Sequence, residues 1–428
     1  MSIEALHELA RLRGVATHFV DGCSREVVVS SDTLLRVLQA LGAPGAPERL
    51  EDAERALVEW RQARTERLLE PVYVLDEGVD ETIGLRLVRR APHYQCRIEF
   101  EFGGDVSWHV VGGQLAPLEG EERQFGLRLP ALRVGYHRLC VIVGKRTVWS
   151  TLIVRPLRAR PNRFAEDWRA VSVQAPVFSL HSERSWGSGD VGDLDTFAAL
   201  VAARGASLVA TLPLLSSFGP HDFEPSPYRP VSRRFWNDRF IALDQVEFLD
   251  DSPSAQRLMA HTYGPEARRA WRDGSRVDAP AAFSAKRNVI QAWAATQSEF
   301  MALYEKGLRS YVMEHPEVND FARFRAAGET MGRNFRAWPT TARSGLLRWN
   351  DVDPTRVRYH LFAQWIIDQQ MSQLSTRLAQ RGQTLQLDIP IGVHPDGYDA
   401  WRYPTEWVGG FSIGTPPDAV TPDGQRWG

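Results

Sequence analysis

Apolar, strand-like segments alternate with amphipathic helices through the second half of the chain, and this alternation constrains the fold more than any other feature. Apolar runs at 171–180 and 208–215 flank a predicted helix at 195–204. A longer predicted helix at 355–381 leads into a third apolar segment at 385–393. Strands joined through helices require right-handed crossovers and a parallel sheet. The pattern predicts an α/β fold and leaves both a barrel and a doubly wound sheet open.

Two regions with different residue patterns precede this part of the chain. Residues 1–68 read as a small helical region, in which Ser31 or Asp32 can cap the second helix. Residues 69–156 hold several short runs of β-branched and aromatic residues separated by turn signals, which predict an antiparallel β-sandwich. We therefore expect three domains, the third of them spanning residues 165–428.

The composition excludes several classes of partner. The 428 residues carry a formal net charge of −2, so no basic field attracts nucleic acid or an anionic membrane. The three cysteines, Cys23, Cys96 and Cys140, lack the spacing of a zinc site or a disulfide framework, and the histidines lack metal-ligand spacing. The N-terminus has no signal-peptide core, and no segment reaches spanning length. We expect a cytoplasmic protein with no metal, nucleic-acid or membrane partner.

A glycine-rich stretch at 187–192 matches the spacing of a dinucleotide-binding turn. Asp190 lies inside the supposed phosphate cradle, and Asp193 and Asp195 stand at the start of the following helix, where they would repel a phosphate. The next apolar segment also ends without the acid that would bind a ribose. The favoured interpretation is a loop at the carboxyl end of a barrel strand, with its aspartates capping the next helix. Dinucleotide binding remains the less favoured alternative.

Four stretches carry a resemblance to a known family, and they follow one another in the family's order. They are HSERSWGSGDVGDL at 181–194, EPSPY at 224–228 followed by SRRFWN, DIPIGV at 388–393 followed by DGYDAW, and IGTPPDAVTPDGQRWG at 413–428. Together they resemble the 4-alpha-glucanotransferases of glycoside hydrolase family 77. The helical and sandwich regions at the front are similar to the bacterial subgroup with a long N-terminal extension.

The resemblance implies a fold and an activity. The expected architecture is a partial (β/α)8 barrel with helical inserts, preceded by the small helical region and the β-sandwich. The expected activity is transfer of α-1,4-glucan segments to glucose or maltooligosaccharide acceptors by a retaining double displacement, with no cofactor. A non-catalytic α-glucan-binding protein is the alternative.

Candidate site residues lie on the predicted barrel loops. Flat rings and carboxylates suit sugar rings and hydroxyls, and the candidates of these types are Trp186, Tyr228, Asp388, Asp418, Gln425 and Trp427. The resemblance implies a catalytic-floor position for Asp388, glucan contacts for Asp418, Gln425 and Trp427, and an acceptor or secondary glucan contact for Tyr228. Ser226 and Asp190 complete the predicted substrate-binding set.

Each candidate has a structural alternative. Trp186 and Tyr228 could pack their own loops, and Asp418 could organise a turn after two prolines. Asp388 lies within an apolar segment, where a carboxylate is costly to bury without a partner, and this favours a role in the site.

The family's nucleophile and acid/base are expected beyond Gly428, because no stretch of this sequence matches the motifs that carry them. A retaining displacement needs both carboxylates. We therefore expect the 1–428 chain alone to lack transfer activity.

Overall fold

A computed structural model describes residues 2–42, 45–87, 91–118, 123–158, 171–246, 250, 252–295 and 301–427, with side chains omitted at 301–303. The chain divides into two compact units, residues 1–168 and 169–428. The predicted domain boundary at residue 165 lies outside the described residues.

Three short helices and a hairpin make up the beginning of the first unit. The helices are α1 (Ser2–Leu12), α2 (Ser31–Ala40) and α3 (Ala53–Glu66). Their leucines and alanines share one buried cluster, which explains the apolar stripes in the sequence. The antiparallel hairpin formed by β1 (His18–Val20) and β2 (Glu26–Val28) was not predicted from the sequence.

The cap of α2 differs from the predicted one by a single residue. The hydroxyl of Ser30, and not that of Ser31 or the carboxylate of Asp32, accepts a hydrogen bond from the Thr33 backbone N–H. Ser30, Ser31 and Asp32 are consecutive and all have side chains that can cap a helix. Ser30 is the cap because its extended backbone places the side-chain oxygen within reach of a free helix amide.

Within the described residues, seven strands form the predicted β-sandwich. A five-stranded sheet has the order β3-β9-β8-β5-β6, and a two-stranded sheet pairs β4 with β7. The prediction of a wholly antiparallel sandwich is wrong at one edge, because β3 runs parallel to β9. Strands β4 to β8 lie between β3 and β9 in the sequence, so the two parallel neighbours are joined by a long connection. The strands are β3 (Val72–Asp76), β4 (Thr82–Arg86), β5 (His93–Glu99), β6 (Asp105–Val111), β7 (Gln124–Arg128), β8 (Gly135–Val143) and β9 (Arg146–Arg155).

A three-stranded parallel sheet organises the second unit. Its order is β10 (Ser172–Gln174), β11 (Leu208–Thr211) and β12 (Thr384–Leu387). Helix α4 (Val191–Ala202) connects the first two strands, and the long helix α11 (Pro354–Gln380) precedes the third. The predicted strand–helix alternation is confirmed in this parallel unit.

The strands are shorter than the apolar runs that predicted them. The first ends before Pro176, which has no N–H to donate to a neighbouring strand, and the chain turns into a 3-10 helix at Val177–Ser179. The third ends at Leu387, three residues before Pro390. The apolar residues past each strand end therefore belong to loops at the carboxyl edge of the sheet, where ligand sites of α/β proteins lie.

Two glutamines of α11 hold the loop that follows β11. The Gln364 side chain accepts from the backbone N–H of Trp236 (3.1 Å) and donates to its carbonyl (2.8 Å). Gln370 makes the same pair of bonds with Ala242, at 3.0 and 2.8 Å. Because both glutamines are buried, these bonds satisfy loop backbone that would otherwise lack partners. The loop thus enters the core with a defined path.

A helical insert lies between β11 and α11. Its helices pack against α11 through two buried clusters rich in aromatic residues. None of the helices within the described ranges is long and apolar enough to cross a membrane. The remaining helices of the second unit are α5 (Pro253–Arg257), α6 (Pro265–Arg272), α7 (Ala279–Ala294), α8 (Met301–Glu314), α9 (Glu317–Met331), α10 (Thr340–Arg343) and α12 (Tyr398–Arg402).

Candidate active-site cleft

The glycine-rich loop at 187–192 is closed by its own aspartates. Asp190 caps α4: its Oδ1 accepts from the backbone N–H groups of Gly192 (3.0 Å) and Asp193 (3.2 Å). The Asp193 carboxylate accepts from the Asp190 N–H in return (3.1 Å), which completes a capping box. The prediction that these aspartates cap the next helix is confirmed. The backbone N–H groups of Gly192 and Asp193, at the start of the helix where a pyrophosphate would bind, are thus already bonded to Asp190.

Asp190 also belongs to a buried ion network. Its side chain is 0 % exposed and lies 3.1 Å from the ammonium of Lys286, which is itself buried and donates to the carbonyl of Ile241. Arg184 pairs with Asp190 on the other side and reaches Asp244 at 2.6 Å. Both carboxylate oxygens of Asp190 therefore have partners from the protein, and Asp190 is not among the residues that line the cavity described below.

The glycines in this loop make room for that network. A Cβ at Gly192 would lie 2.5 Å from a guanidinium nitrogen of Arg184, and a Cβ at Gly189 would lie 2.0 Å from the carbonyl oxygen of Val177. The glycines at these positions therefore allow the loop to pack closely on residues that precede it in the sequence. This close packing explains the glycine spacing that resembles a dinucleotide-binding turn.

Trp186 is part of the hydrophobic core. The ring is 0 % exposed, lies 6.1 Å from the ring of Tyr263, and has the guanidinium of Arg268 5.0 Å from its centre. The ring therefore packs in the core, as the structural alternative describes, and it is not among the residues that line the cavity described below.

Five of the predicted residues meet around one cavity of about 640 Å³. The Ser226–Tyr228 loop follows β11, Asp388 follows β12, and Gln425 with Trp427 comes from the C-terminal hairpin. Three residues were not predicted: Ile389, Ile391 and Arg426. The described residues that line the cavity are Ser226, Tyr228, Asp388, Ile389, Ile391, Gln425, Arg426 and Trp427.

A direct hydrogen bond joins the loops of two neighbouring strands. The Tyr228 hydroxyl donates to Oδ2 of Asp388 over 2.5 Å. Asp388 is exposed, because it stands one residue past the end of β12. The expectation of a carboxylate buried within the strand is therefore wrong, although the residue does lie in the cavity. The bond to Asp388, followed by partial burial, raises the pKa of Tyr228 to about 12.

This bond predicts an alkaline titration. The Tyr228 phenol should ionise near pH 12, against an ordinary value of about 10, and Asp388→Asn should return the midpoint toward that value. Because the folded pKa lies above the unfolded one, the group's contribution to stability is complete below about pH 10 and is lost as the pH rises through about 12. The measurement is near-ultraviolet tyrosinate absorbance, taken as the difference from Tyr228→Phe in each background. A midpoint that Asp388→Asn leaves unchanged contradicts the assignment.

The C-terminal hairpin presents Trp427 to the cavity. Strands β13 (Gly414–Thr415) and β14 (Gln425–Arg426) pair antiparallel, and the Trp427 N–H donates to the carbonyl of Ile413 (2.6 Å). The Trp427 indole N–H donates to Oε1 of Gln425 at 3.0 Å, which fixes the two predicted side chains against each other.

Asp418 organises the tip of this hairpin. Its Oδ1 accepts from the N–H groups of Val420 (2.8 Å) and Thr421 (2.6 Å) and from the Thr421 hydroxyl (2.8 Å). These bonds lower the pKa of Asp418, with the Thr421 N–H contributing most. The residue does not line the cavity. The turn alternative describes the bonds of Asp418, and its glucan contact stays a prediction.

Arg233 supports the Asp388 loop and was missed from the sequence. Its guanidinium donates to the carbonyls of Pro390 (3.4 Å) and Ile391 (3.3 Å) and lies 5.2 Å from the Trp407 ring centre. The Arg233 backbone N–H donates to the carboxylate of Asp399 (2.9 Å). The SRRFWN motif gave no local signal for this role, because exposed arginines can be satisfied by water and the acceptors lie about 157 residues further along the chain.

Metal binding receives no support from the described part of the chain. Within it, no three histidine, cysteine, aspartate or glutamate side chains gather as a metal site would require.

Comparison with known proteins places the chain in a family of carbohydrate-active enzymes. The 4-alpha-glucanotransferase family model of glycoside hydrolase family 77 matches residues 175–428, and the model of the MalQ N-terminal beta sandwich domain matches residues 68–156. The chain belongs to the 4-alpha-glucanotransferase family. The resemblance seen in the four sequence motifs is thereby confirmed.

Individual relatives agree with this membership. The 4-alpha-glucanotransferase of Mycobacterium bovis is 30% identical over 443 residues, which cover 99% of this chain and 60% of the relative. That of Haemophilus influenzae is 24% identical, covering 70% of this chain and 46% of the relative. The crystal structure of amylomaltase from Corynebacterium glutamicum matches with a TM-score of 0.77 and 25% identity, covering 99% of this chain and 60% of that one.

The chain therefore spans about 60% of the length of the mycobacterial relative and of the matched amylomaltase. The structural match confirms the predicted fold class, an α/β barrel architecture preceded by a helical region and a β-sandwich.

Proposed function

We propose that this chain serves in the transfer of α-1,4-glucan segments to glucose or maltooligosaccharide acceptors by a retaining double displacement, and that its cavity at Tyr228 and Asp388 holds the glucan. The proposal rests on one observation: three separate segments line the same cavity. These segments are the loop after β11, the loop after β12 and the C-terminal hairpin. Family membership supplies the reaction class. The three free cysteines support a reducing cytoplasmic location.

The lining of the cavity suits a sugar chain. A carboxylate accepts hydrogen bonds at about four lone-pair positions, so Asp388 can bind sugar hydroxyls while it holds the Tyr228 phenol. The half-buried ring of Trp427 offers a flat apolar surface for a pyranose face. Ile389 and Ile391 are exposed at the same cavity and add apolar surface.

Binding should depend on the Asp388 carboxylate. We expect affinity electrophoresis in amylose to retard the chain and Asp388→Ala to weaken glucan binding at least tenfold, because a hydrogen bond to a charged group contributes about 1.5–3 kcal/mol. Asp273→Ala is the matched control, since Asp273 is exposed and lies outside the cavity lining. Equal retardation of the wild type and of both variants would show that the Asp388 cavity does not bind the glucan.

Turnover should be separable from binding. Double displacement requires two carboxylates about 5–5.5 Å apart, and among the described residues lining the cavity Asp388 is the one carboxylate. We therefore expect the purified 1–428 chain to bind maltotriose without releasing glucose, as measured by a coupled glucose assay against a blank. Release above the blank would show that residues of this chain supply both reacting groups.

A further inference from the structure

A second cavity, of about 730 Å³, lies between α7, α9 and the start of α11, and it shares no lining residue with the glucan cavity. Four arginines line it: Arg287, Arg325, Arg333 and Arg356. Its volume falls within the range of about 300–1,000 Å³ that is typical of small-molecule sites.

The glutamate in its wall already has its charge neutralised. Glu329 accepts from Arg287 (2.7 Å) and Arg356 (3.4 Å), and it lies 2.8 Å from the ring nitrogen of the buried His360. His360 and Arg287 hold the pKa of Glu329 far below its usual range, against the opposing effect of burial. Glu329 is therefore committed to these three partners.

These pairs leave two of the four arginines, and Arg333 lies 3.9 Å from the carboxylate of Asp396, so Arg325 is the one for which the described residues show no ion pair. It is 4 % exposed, and its Nη1 donates to the hydroxyl of Ser216 at 2.8 Å. Its guanidinium centre lies 6.0 Å from the Phe218 ring and 5.7 Å from the Phe321 ring. Across the described ranges, no carboxylate oxygen lies within 4.0 Å of it. The carboxylates of Asp238 and Glu329 act on Arg325 only from beyond 4.0 Å. A guanidinium has five N–H donors and stays charged, so a buried one with a single hydroxyl acceptor gains from an anion that binds it directly.

The other groups at the cavity narrow the chemistry of that anion. Asn288, whose amide nitrogen donates to the Tyr263 hydroxyl, lines it together with the carboxylates of Asp222 and Asp353, the second of which accepts from the Thr355 hydroxyl. Carboxylates repel a second anionic group but accept hydrogen bonds from hydroxyls. The combination fits a ligand with one compact oxyanion and several hydroxyls.

We propose that this cavity binds a small sugar phosphate, with the phosphate on Arg325 and the sugar hydroxyls on the polar rim. Arginine suits a phosphate because its planar fork donates two parallel hydrogen bonds. The site is separate from the glucan cavity and does not depend on the proposed transfer reaction.

Isothermal titration calorimetry of the full 1–428 chain tests the proposal with three probes: glucose 6-phosphate, inorganic phosphate and glucose. We expect glucose 6-phosphate to bind more tightly than inorganic phosphate, and glucose to give no signal at the same concentration. Arg325→Gln should weaken glucose 6-phosphate binding at least tenfold, and Arg325→Lys should fall between Arg325→Gln and the wild type. Arg343→Gln, which removes an exposed arginine outside the cavity lining, should leave it unchanged.

A second variant keeps the test decisive if Arg325→Gln fails to fold. Asn288 is exposed on α7, so Asn288→Asp should fold and should weaken phosphate binding through like-charge repulsion. The proposal is overturned if glucose 6-phosphate does not bind, if glucose binds equally well, or if neither Arg325→Gln nor Asn288→Asp changes the affinity. Inorganic phosphate binding as tightly as glucose 6-phosphate overturns the sugar part of the assignment.

Discussion

Replacing Asp190 with alanine is expected to lower the free energy of unfolding by about 3–5 kcal/mol, because it leaves a buried ammonium without its counter-ion. Lys286 is 1 % exposed, and its other acceptors are backbone carbonyls of Arg239 and Ile241. The same substitution removes the cap of α4, which contributes about 1 kcal/mol within that loss. Denaturant unfolding followed by tryptophan fluorescence measures the change.

The pair can be tested by a double-mutant cycle. Lys286→Met together with Asp190→Asn removes both charges, so the double variant should lose less stability than the sum of the single losses. Asp32→Ala, in the exposed first turn of α2, is the matched control and should change stability by less than about 1 kcal/mol. Additive losses in the cycle, or a loss below about 1 kcal/mol for Asp190→Ala, would contradict the network.

Trp186→Ala is expected to cost about 3–5 kcal/mol of stability while leaving glucan affinity unchanged. The ring fills the core between the glycine-rich loop and the insert helices, so its removal leaves a cavity that the surrounding chain fills only in part. Stability is measured by denaturant unfolding and affinity by electrophoresis in amylose, on the same preparations.

Trp349→Ala is the matched control for this second prediction. Its ring is 69 % exposed, and its removal should change stability by less than about 1 kcal/mol. If Trp186→Ala folds with near wild-type stability but loses glucan binding, the sequence-based role of Trp186 is restored and the structural account of the ring is wrong.

Local signals explain what the sequence predicted well. Helices α4 and α11 follow from apolar periodicity, with Gly205 and Gly382 just past their ends. Both glycines adopt positive φ, a conformation that other residues rarely take, so the stop signals act within a few residues of the chain. The capping box at Asp190 is local in the same sense, because both partners lie three residues apart.

Burial could not be predicted, because it depends on segments far apart in the sequence. Trp186 and Trp427 are the same residue type on similar glycine-rich stretches, yet helices of the insert cover the first and the second lines the cavity. Asp190 and Asp388 differ in the same way: Lys286, 96 residues along the chain, neutralises Asp190, whereas Asp388 stands exposed beside Tyr228. The capping box marks Asp190 as a helix cap, but no local pattern shows that Lys286 neutralises it or that Asp388 lies beside a cavity.

The sequence by itself determined the strand–helix alternation of the second unit, the capping box and glycine stop of α4, the glycine stop of α11, the α/β class, and the family to which the four motifs point. Those properties depend on backbone propensity and on contacts within one or two turns of chain. Only the tertiary structure decided which carboxylate and which aromatic ring face a cavity. Whether a side chain faces the cavity depends on whether a distant helix supplies a counter-ion or covers the ring. The free energy of burial therefore comes from contacts between segments that are far apart in the sequence.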